Sequence, residues 1–448
     1  MKENRIDLTE GVIWKQLLIF VWPILLANIF EQLYNVTNSL IVGNYIDTIA
    51  LSAVSATNSI TLLTQFFYYG LAMASGVLVA NFYGADQKDK VARTIETSFL
   101  LALIVGTACM LLIEMFTPQL MQLSNIDETI FEPAKLYLRI IILADMPIFL
   151  YNVCFFILRS LGNSKDPLNY LIISSVLNII LGVLFVRVFN WGIVGVGLAT
   201  IISRVLIDIL AIRLLLRIDP DIRIDLRHLH IDFDLMKRIF ALGVPAAVQN
   251  MLIAISNFIV QAYINMFSYE IIAGIGVANK VTLWVQMPMH GISTIGTNYV
   301  GQNLGARKYD RVKEGIRFCN WLATAITFVL ALGTFIWADD LVRLFDKDPL
   351  VVIHGAAATR FMVFSFVPLT WSHIYNGCCR GAGNVRVPMI IAVMSQCVAK
   401  YLFVTIGLKI SFNIVILYLA PAIGFSLAGI FASIYFHTSS WVKEAHLR

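Results

Sequence analysis

The amino-acid sequence predicts an all-α integral membrane protein whose twelve transmembrane helices form two homologous bundles of six. Apolar residues make up 58% of the 448 residues and charged residues only 14%, which is about half the charged share of a soluble domain. The apolar residues gather into twelve segments, each long enough to cross the roughly 30 Å core of a bilayer as a helix. The second half of the chain also repeats the first at a displacement of about 221 residues.

The repeat is carried by glycines, prolines and short charged motifs that keep their spacing. Gly84-Ala85 with Asp89-Lys90-Val91 returns as Gly305-Ala306 with Asp310-Arg311-Val312, and Arg159, Gly162, Asn163 and Pro167 return as Arg380, Gly383, Asn384 and Pro388. Six helices per copy keep the two copies parallel, related by an axis along the membrane normal. Two homologous helical bundles are typical of membrane transporters, whose site is expected where the halves face each other.

Each half supplies six predicted helices. The first half, residues 12–216, is the predicted N-lobe, with helices near 13–43, 48–82, 92–117, 131–160, 167–189 and 192–216. A polar segment of mixed charge at 217–238 is the predicted cytoplasmic linker. The predicted C-lobe, residues 239–437, has helices near 240–267, 270–303, 312–338, 352–380, 387–409 and 412–437.

The charge distribution predicts how the chain is oriented in the membrane. The N-terminus lacks the pattern of a signal peptide, so we expect both termini in the cytoplasm of a bacterium, with the helices crossing its inner (plasma) membrane. Most Lys and Arg then lie in the cytoplasmic connections, as the positive-inside rule requires. The net charge of +5 is therefore an orientation signal and does not call for nucleic acid. The six cysteines fall within or at the ends of apolar helices, so we expect no disulfide and no metal site.

Motifs along nearly the whole chain resemble the multidrug and toxic compound extrusion (MATE) transporters, and most closely their DinF-like branch. The motifs are Pro23 with Leu33-Tyr34-Asn35, Asn81-Phe82-Tyr83-Gly84-Ala85, Arg159-Ser160-Leu161-Gly162-Asn163 with Pro167, Gly192-Ile193-Val194-Gly195-Val196-Gly197-Leu198-Ala199-Thr200 and Gly301-Gln302-Asn303-Leu304-Gly305-Ala306. The resemblance implies a V-shaped exporter that expels amphiphilic drugs, toxins or metabolites in exchange for H⁺ or Na⁺, by alternating access of two lobes. It implies small-molecule substrates and membrane lipids as partners, no cofactor, no nucleic acid and a monomeric state.

Two acidic residues common in the DinF-like branch are replaced in this chain. The aspartate of the first helix is Asn38, and the aspartate that follows Asn178 in the fifth helix is Gly182. Thr200, which matches a threonine of the same polar cluster, is retained. Because an amide cannot take up a proton near neutral pH, proton coupling centred on residue 38 is excluded.

Other polar residues of the first half are candidates for ion coupling. Glu31 shares one predicted helix face with Asn28, Asn35 and Asn38. A carboxylate in mid-bilayer costs roughly 2.5–3.5 kcal/mol, which favours a functional role over a structural hydrogen bond between helices. Asp145, Asn178, Thr200 and Asp208 complete the set of candidates. Asp208 lies four residues after Arg204, so the two are expected either to pair permanently or to act as a relay that opens on protonation.

The second half supplies candidates for substrate binding. Three amides, Gln249, Asn257 and Gln261, are predicted on one side of the seventh helix, and the eighth helix adds Trp284, Met287 and His290. Amides among aromatic and Met side chains suit bulky, partly apolar ligands, although ordinary helix packing would give the same composition. Lys400 in the eleventh helix would favour anionic or zwitterionic cargo if it is accessible. The alternative is a lysine paired with a carboxylate or a carbonyl.

Two other functions fit the sequence less well than export. A flippase for a lipid-linked precursor, from the same wider superfamily, would need a strongly cationic cavity, and the sequence offers only Lys280, Lys400, Arg204 and Arg360 inside the membrane. An intramembrane enzyme is disfavoured because the sequence has no His-Glu-x-x-His pair and no Gly-x-Ser-x-Gly turn. No Walker-type loop is present either, so the sequence indicates an ion gradient as the energy source.

Overall fold

The computed structural model describes residues 6–46, 48–123, 128–224 and 229–439, and these ranges contain helices and no strand. The helices are α1 Ile13–Tyr45, α2 Thr48–Gly84, α3 Lys88–Leu123, α4 Glu128–Ile142, α5 Asp145–Ser160, α6 Lys165–Val183, α7 Gly192–Leu215, α8 Phe233–Ile264, α9 Tyr269–Gly305, α10 Tyr309–Ile336, α11 Ala338–Arg343, α12 Pro349–Val363, α13 Phe366–Gly381, α14 Arg386–Val393, α15 Lys400–Ile410 and α16 Val415–Thr438. The predicted all-α membrane architecture is confirmed.

The lengths and compositions of the helices fit a multi-pass membrane protein. In the described part of the chain, nine helices are long and apolar enough to cross a bilayer, and two bent helix pairs bring the number to eleven. The remaining predicted span corresponds to α9, which is 37 residues long. It does not reach the same hydropathy because Asn, Lys, Gln and His interrupt its apolar residues.

Two spans that the sequence predicts as continuous helices are bent at equivalent places. The axes of α4 and α5 differ by 42°, and those of α12 and α13 differ by 48°. Pro147 and Pro368 each occupy the third residue of the helix after the bend. A proline ring clashes with the carbonyl four residues earlier, so the helix cannot continue straight through residues 143 and 364. The prediction of unbroken helices is wrong at these two positions, and the repeat extends to the bends themselves.

The repeated glycines after α5 and α13 end these helices in the same way. Gly162 has a φ of +82° and Gly383 a φ of +78°, a conformation that side chains with a Cβ rarely adopt. The amide of Asn163 donates to the carbonyl of Leu158, and the amide of Asn384 donates to that of Cys379. These bonds satisfy carbonyls that would otherwise lack a partner at the helix end. The repeated glycines are therefore structural.

The chain divides into two compact units. Unit 1 contains the residues up to Leu8 together with Ile19–Ala247, and unit 2 contains Thr9–Leu18 and the residues from Val248 onward. The division lies inside α8, whereas the sequence places the boundary in the linker at 217–238. The beginning of α8 belongs to unit 1 because Gly243 and Ala247 lie close against Gly70 of α2.

A segment near the N-terminus is held by basic side chains of unit 2. Lys308 Nζ donates to the carbonyl of Thr9 at 3.0 Å. Arg311 donates through Nη1 to the carbonyl of Gly11 at 2.8 Å and through Nη2 to that of Glu10 at 3.0 Å. In unit 1, Lys88 has a comparable role, because its Nζ lies 2.8 Å from Asp221 in the linker. The basic residues that open α3 and α10 therefore anchor neighbouring chain segments.

Each unit has one closely packed helix pair, α2 with α5 in unit 1 and α9 with α13 in unit 2. The glycines that permit this packing lie on different helices of the pair in the two units. In unit 2, Gly377 and Gly381 of α13 face the carbonyls of Ser293 and Thr297 of α9. In unit 1 the small residue lies on the other helix: Gly76 of α2 faces Phe156 and Ser160 of α5. Gly76 is the repeat position of Thr297, and Phe156 and Ser160 are those of Gly377 and Gly381. Small residues at such contacts allow helix backbones to approach closely in membranes.

Candidate functional site

Asp145 is a buried acid at the bend between α4 and α5. It is the first residue of α5 and only 2% exposed. The hydroxyl of Tyr68 donates to its Oδ2 at 3.4 Å, and the Tyr68 ring stacks on Phe149 with the ring centres 4.7 Å apart. A carboxylate in this position is held by a phenol inside unit 1 rather than by a basic side chain.

Arg204 of α7 lies between two aromatic rings instead of pairing with Asp208. Its guanidinium is 4.9 Å from the ring centre of Tyr34 and 5.0 Å from that of Tyr151, and the residue is only 9% exposed. Aromatic faces attract cations, and the attraction grows when both groups are removed from water. The expected pairing of Arg204 with Asp208 through direct contact is wrong, because no hydrogen bond or ion pair joins them in the described part of the chain.

Asp208 is left with an unusual environment. It is 5% exposed, and its Oδ1 has no hydrogen-bond partner among the described residues. The charge of Arg204 acts on it through space. A buried carboxylate oxygen without a donor is costly when it carries negative charge, so such a group is suited to take up a proton or a cation.

Glu31 belongs to the same cluster as Arg204. Its side chain is half-buried on α1, and it interacts electrostatically with Arg204 and Tyr151. Asn38 is half-buried on the same helix. The side chain of Asn35 lies outside the described part of the structure. We call the group of Glu31, Tyr34, Tyr151, Arg204 and Asp208 the unit 1 cluster.

Asn178 and Thr200 lie next to each other in the interior of unit 1. The amide of Asn178 donates to Thr200 Oγ1 at 3.5 Å, and Thr200 itself donates to the carbonyl of Val196. Asn178 Oδ1 has no hydrogen-bond partner in the described structure. At Gly182, a Cβ would lie 3.1 Å from the Ile41 side chain, so an aspartate there would require Ile41 to move.

The three predicted amides of α8 form hydrogen bonds within unit 2. Gln249 Oε1 accepts from Arg380 Nη2 at 3.2 Å. Asn257 Oδ1 accepts from Lys400 Nζ at 2.7 Å. Gln261 Nε2 donates to Asn265 Oδ1 one turn later at 2.9 Å. Two of the three amides therefore orient a basic side chain.

Lys400 is buried beside an irregular turn. It is 5% exposed and directly follows a π-helical segment, Met394–Ala399. The hydroxyl of Ser256 donates to the carbonyl of Gln396 in this segment at 3.1 Å. Such π-helical turns are frequent at functional sites. The sequence leaves two roles open for Lys400, contact with cargo or pairing with a carboxylate or a carbonyl. The structure shows Lys400 paired with a carbonyl oxygen, that of the Asn257 side-chain amide.

One exposed face of the membrane helix α9 carries polar side chains. Asn279, Lys280, Trp284 and His290 are exposed on this helix, and Met287 is half-buried. Trp284 is 54% exposed. Lys280, Trp284, Met287 and His290 follow one another at spacings of four, three and three residues, which places them on one stripe. Because Asn, Lys and His in the middle of a membrane helix avoid lipid, this stripe is expected to face water.

The structure brings His290 together with His373, which is not among the predicted site residues. The two rings meet edge to face with their centres 4.6 Å apart. His373 belongs to α13, and the repeat positions of the two histidines are Tyr69 and Asn152. The repeat carries no histidine at either position, so the mismatch between the two halves is a signal that could have selected both residues.

No metal centre is formed by the described residues, since no group of three or more His, Cys, Asp or Glu side chains could hold an ion there.

The predicted ion-coupling residues with described side chains lie in unit 1, and the predicted substrate residues lie in unit 2. Sequence reasoning missed the two tyrosines around Arg204, and it also missed His373 and Arg380. Arg380 was visible only as the repeat of Arg159.

A family comparison matches the chain twice. The MatE family model aligns with residues 23–184 and again with residues 245–406. Equivalent ends of the two matches lie 222 residues apart. The internal repeat is therefore confirmed, with one copy of the family unit in each half of the chain.

Curated relatives cover most of the chain. The probable multidrug resistance protein YoeA of Bacillus subtilis is 27% identical over 395 residues, which cover 86% of this chain and 84% of that protein. The probable multidrug resistance protein NorM of Thermotoga maritima is 25% identical, with the same coverage of 86% and 84%.

Solved structures share the fold along nearly the full length. A crystal structure of MATE in the bent conformation aligns with a TM-score of 0.92 at 20% identity and covers 98% of both chains. A MOP superfamily transporter from Pyrococcus furiosus, described by the reverse polarity of its binding pocket, aligns with a TM-score of 0.90 at 20% identity and also covers 98% of both chains. At this identity the likeness shows the fold.

Proposed function

Since this chain belongs to the MatE family of multidrug transporters, we propose that it exports amphiphilic organic compounds from the cell in exchange for H⁺ or Na⁺. The chain is a multi-pass protein of the bacterial plasma membrane. Relatives named as multidrug resistance proteins support drugs, toxins or metabolites as the cargo. Solved MATE structures include bent, straight and outward-facing conformations, which supports export by alternating access.

The observation that carries the proposal is the unit 1 cluster. Asp208 combines deep burial with an oxygen that has no donor, and Arg204 lies close by without contacting it. Uptake of one proton neutralises this carboxylate, whereas a bound Na⁺ would need several oxygen ligands, as hard cations generally do. The cluster therefore favours H⁺ as the coupling ion. Glu31 is the second carboxylate of the cluster and interacts electrostatically with Arg204.

The proposed substrate wall consists of the exposed stripe of α9 and the amide face of α8. Trp284 and Met287 supply apolar, adaptable contacts, and Asn257 and Gln261 supply hydrogen-bonding groups. The predicted Gln249 is not part of this wall, because it is buried and bonds to Arg380. Asn257 is itself exposed and covers the ammonium of Lys400. A wall of this composition suits ligands that are bulky, partly apolar and of differing shape.

Transport into proteoliposomes tests the proposal directly. We expect ethidium, as a fluorescent amphiphilic probe, to move against its gradient when a pH gradient is imposed, and to stop when the gradient is dissipated. A Na⁺ gradient imposed at uniform pH separates the two coupling ions, since H⁺ coupling leaves it without effect. Equal ethidium movement with no gradient of either kind contradicts antiport.

Substitution of Glu31 by Gln is expected to abolish drug resistance in an efflux-deficient host. The variant keeps the shape of the side chain but removes the negative charge that interacts with Arg204. We expect the minimal inhibitory concentration of ethidium to fall to the level of the empty vector, while membrane insertion stays normal by immunoblot. Resistance equal to wild type would remove Glu31 from the mechanism.

A further inference from the structure

A cavity of about 280 Å³ lies in unit 2 between the residues that open α1 and the first three turns of α10. Its lining includes Gly11, Trp14, Arg311, Glu314 and Phe318. The helix α10 is 28 residues long, which corresponds to about 42 Å and exceeds the roughly 30 Å of the hydrocarbon core. Its charged side chains all lie between residues 310 and 317. This end of α10, and the cavity with it, therefore lies at the level of the lipid headgroups.

The wall that α1 contributes is held in place by hydrogen bonds to the opening of α10. Arg311 donates through Nη1 to the carbonyl of Gly11 at 2.8 Å and through Nη2 to Gln16 Oε1 at 3.2 Å. Gly11 turns the chain into α1 with a φ of +72°, a conformation that favours glycine. Arg311 is engaged by these bonds, so it contributes its positive charge to the cavity rather than additional hydrogen bonds.

Glu314 supplies the negative charge of the cavity. It is exposed, and its carboxylate forms no hydrogen bond or ion pair with the described residues. Two aromatic rings line the same cavity, since Trp14 is 54% exposed and Phe318 is half-buried. A carboxylate accepts charge-assisted hydrogen bonds from an ammonium group, and aromatic faces attract the same cation. This part of the cavity is therefore suited to an organic ammonium group.

An apolar stripe of α10 leads from the cavity into the membrane. It consists of Phe318, Trp321, Ala325, Phe328 and Leu332, whose alternating spacings of three and four residues place them on one helix face. Trp321 is 69% exposed, Phe328 49% and Leu332 41%. Because exposed apolar side chains avoid water, this stripe is expected to contact lipid acyl chains. Phe318 belongs to both the stripe and the cavity, so the two form one continuous surface.

We propose that the cavity binds the headgroup of phosphatidylethanolamine, whose acyl chains lie along the apolar stripe of α10. The ammonium group donates to the carboxylate of Glu314 and lies against the rings of Trp14 and Phe318. The phosphate lies near the positive charge of Arg311, which precedes Glu314 by three residues and so shares its side of the helix.

The choice of this lipid follows from the two charges of the cavity. A zwitterionic headgroup complements both Arg311 and Glu314, whereas an anionic headgroup leaves Glu314 without an opposite charge. Phosphatidylcholine is also zwitterionic, but its quaternary ammonium has no N–H to donate to the carboxylate. The lipid site does not depend on the proposed export function, because its residues are neither the unit 1 cluster nor the substrate wall.

Native mass spectrometry of the purified full chain in detergent tests the site with lipids that differ only in the headgroup. The probes are dioleoyl phosphatidylethanolamine, phosphatidylcholine and phosphatidylglycerol. We expect wild-type protein to bind phosphatidylethanolamine about ten-fold more tightly than phosphatidylcholine, as charge-assisted hydrogen bonds to one carboxylate imply. Equal affinity for these two lipids overturns the proposal. Tightest binding of phosphatidylglycerol also overturns it, since an anionic lipid would then be the preferred ligand.

Substitution of Glu314 by Gln keeps the shape of the side chain and removes the charge. We expect it to weaken phosphatidylethanolamine binding about ten-fold, to the level of phosphatidylcholine, and to leave phosphatidylcholine within about two-fold. The matched control is Asp310→Asn, which removes an acid from the first turn of the same helix outside the cavity and is expected to change neither affinity. Equal weakening of both lipids by Glu314→Gln, or equal weakening of phosphatidylethanolamine by the control, overturns the proposal.

A soluble ligand with the same headgroup is the remaining alternative. Glycerophosphoethanolamine carries the ammonium and the phosphate but has no acyl chains for the stripe of α10. At a concentration equal to that of dioleoyl phosphatidylethanolamine, we expect it to leave the bound lipid in place, because acyl chains add apolar contact area. Displacement of the lipid under this condition assigns the cavity to a soluble ligand and overturns the proposal.

Discussion

Replacement of Asp208 by Asn is expected to abolish ion-coupled export while the protein stays folded. Asn has the same shape as Asp but cannot take up or release a proton near neutral pH. Asp208 forms no ion pair in the described structure, and its Oδ1 lacks a donor, so the amide removes no contact on which the fold depends. We expect the rate of ethidium export under an imposed pH gradient to fall by about 100-fold, the usual effect of removing a proton-transferring group.

A surface acid of the same unit provides the matched control for Asp208→Asn. Glu114 lies 3.0 Å from Arg139, and both side chains are about half exposed. Exposed ion pairs contribute little, about 0–1 kcal/mol, so Glu114→Gln is expected to export ethidium at the wild-type rate. Thermal unfolding of both variants in detergent verifies that they are folded. Export by Asp208→Asn at the control rate would exclude Asp208 as the coupling group.

The unit 1 cluster contains two carboxylates in a chain that has Asn38 at the position where the family commonly carries an acid. Asn38 cannot carry a proton, and Gly182 leaves little space for a carboxylate beside Ile41. Glu31 and Asp208 supply two carboxylates whose charges act on Arg204, and the two tyrosine rings also stabilise its positive charge. A proton that neutralises one carboxylate changes the balance of attractions on a single buried cation. Coupling through this cluster would therefore need no acid on the usual positions.

The helices were predictable from the sequence because membrane helices are encoded locally. Long apolar segments define the spans, and the charged connections between them define their ends. The bends at residues 143 and 364 were less evident, although Pro147 and Pro368 repeat. A proline in the first turn of a helix does not disturb that helix. The structure is needed to show that another helix ends just before it, so that the proline interrupts a longer span.

The candidate site was predictable only one residue at a time. Glu31, Asp208 and Lys400 stand out because a charge in an apolar helix is costly, so composition alone selects them. Their partners could not be selected, because tertiary packing brings them from distant helices. His290 and His373 are 83 residues apart along the chain, and Arg204 is 170 residues from Tyr34. The direction of Arg204 towards rings rather than towards Asp208 depends on which groups α1 and α5 place around it.

Substitution of Gly377 by Phe is expected to destabilise the protein strongly. Phe is the residue at the equivalent position of unit 1, Phe156, yet unit 2 has no space for it. A Cβ at Gly377 would collide with the carbonyl of Ser293, a backbone atom that cannot move alone. We expect the free energy of unfolding to fall by about 3 kcal/mol, the upper part of the usual range for overpacking. Thermal unfolding in detergent should show this as a lower Tm and a smaller folded fraction.

A second substitution on the partner helix α9 is expected to compensate for Gly377→Phe. Unit 1 accepts Phe156 because its partner helix carries Gly76, whose repeat position is Thr297. Adding Thr297→Gly to Gly377→Phe recreates the unit 1 combination at this contact and is expected to recover part of the lost Tm. The control is Gly276→Ala, since nothing lies within 4 Å of a Cβ at Gly276, and its Tm should be no lower than that of wild type because Ala favours a helix more than Gly does. If the double variant is no more stable than Gly377→Phe, the exchange of small residues between helices does not explain how the two units pack.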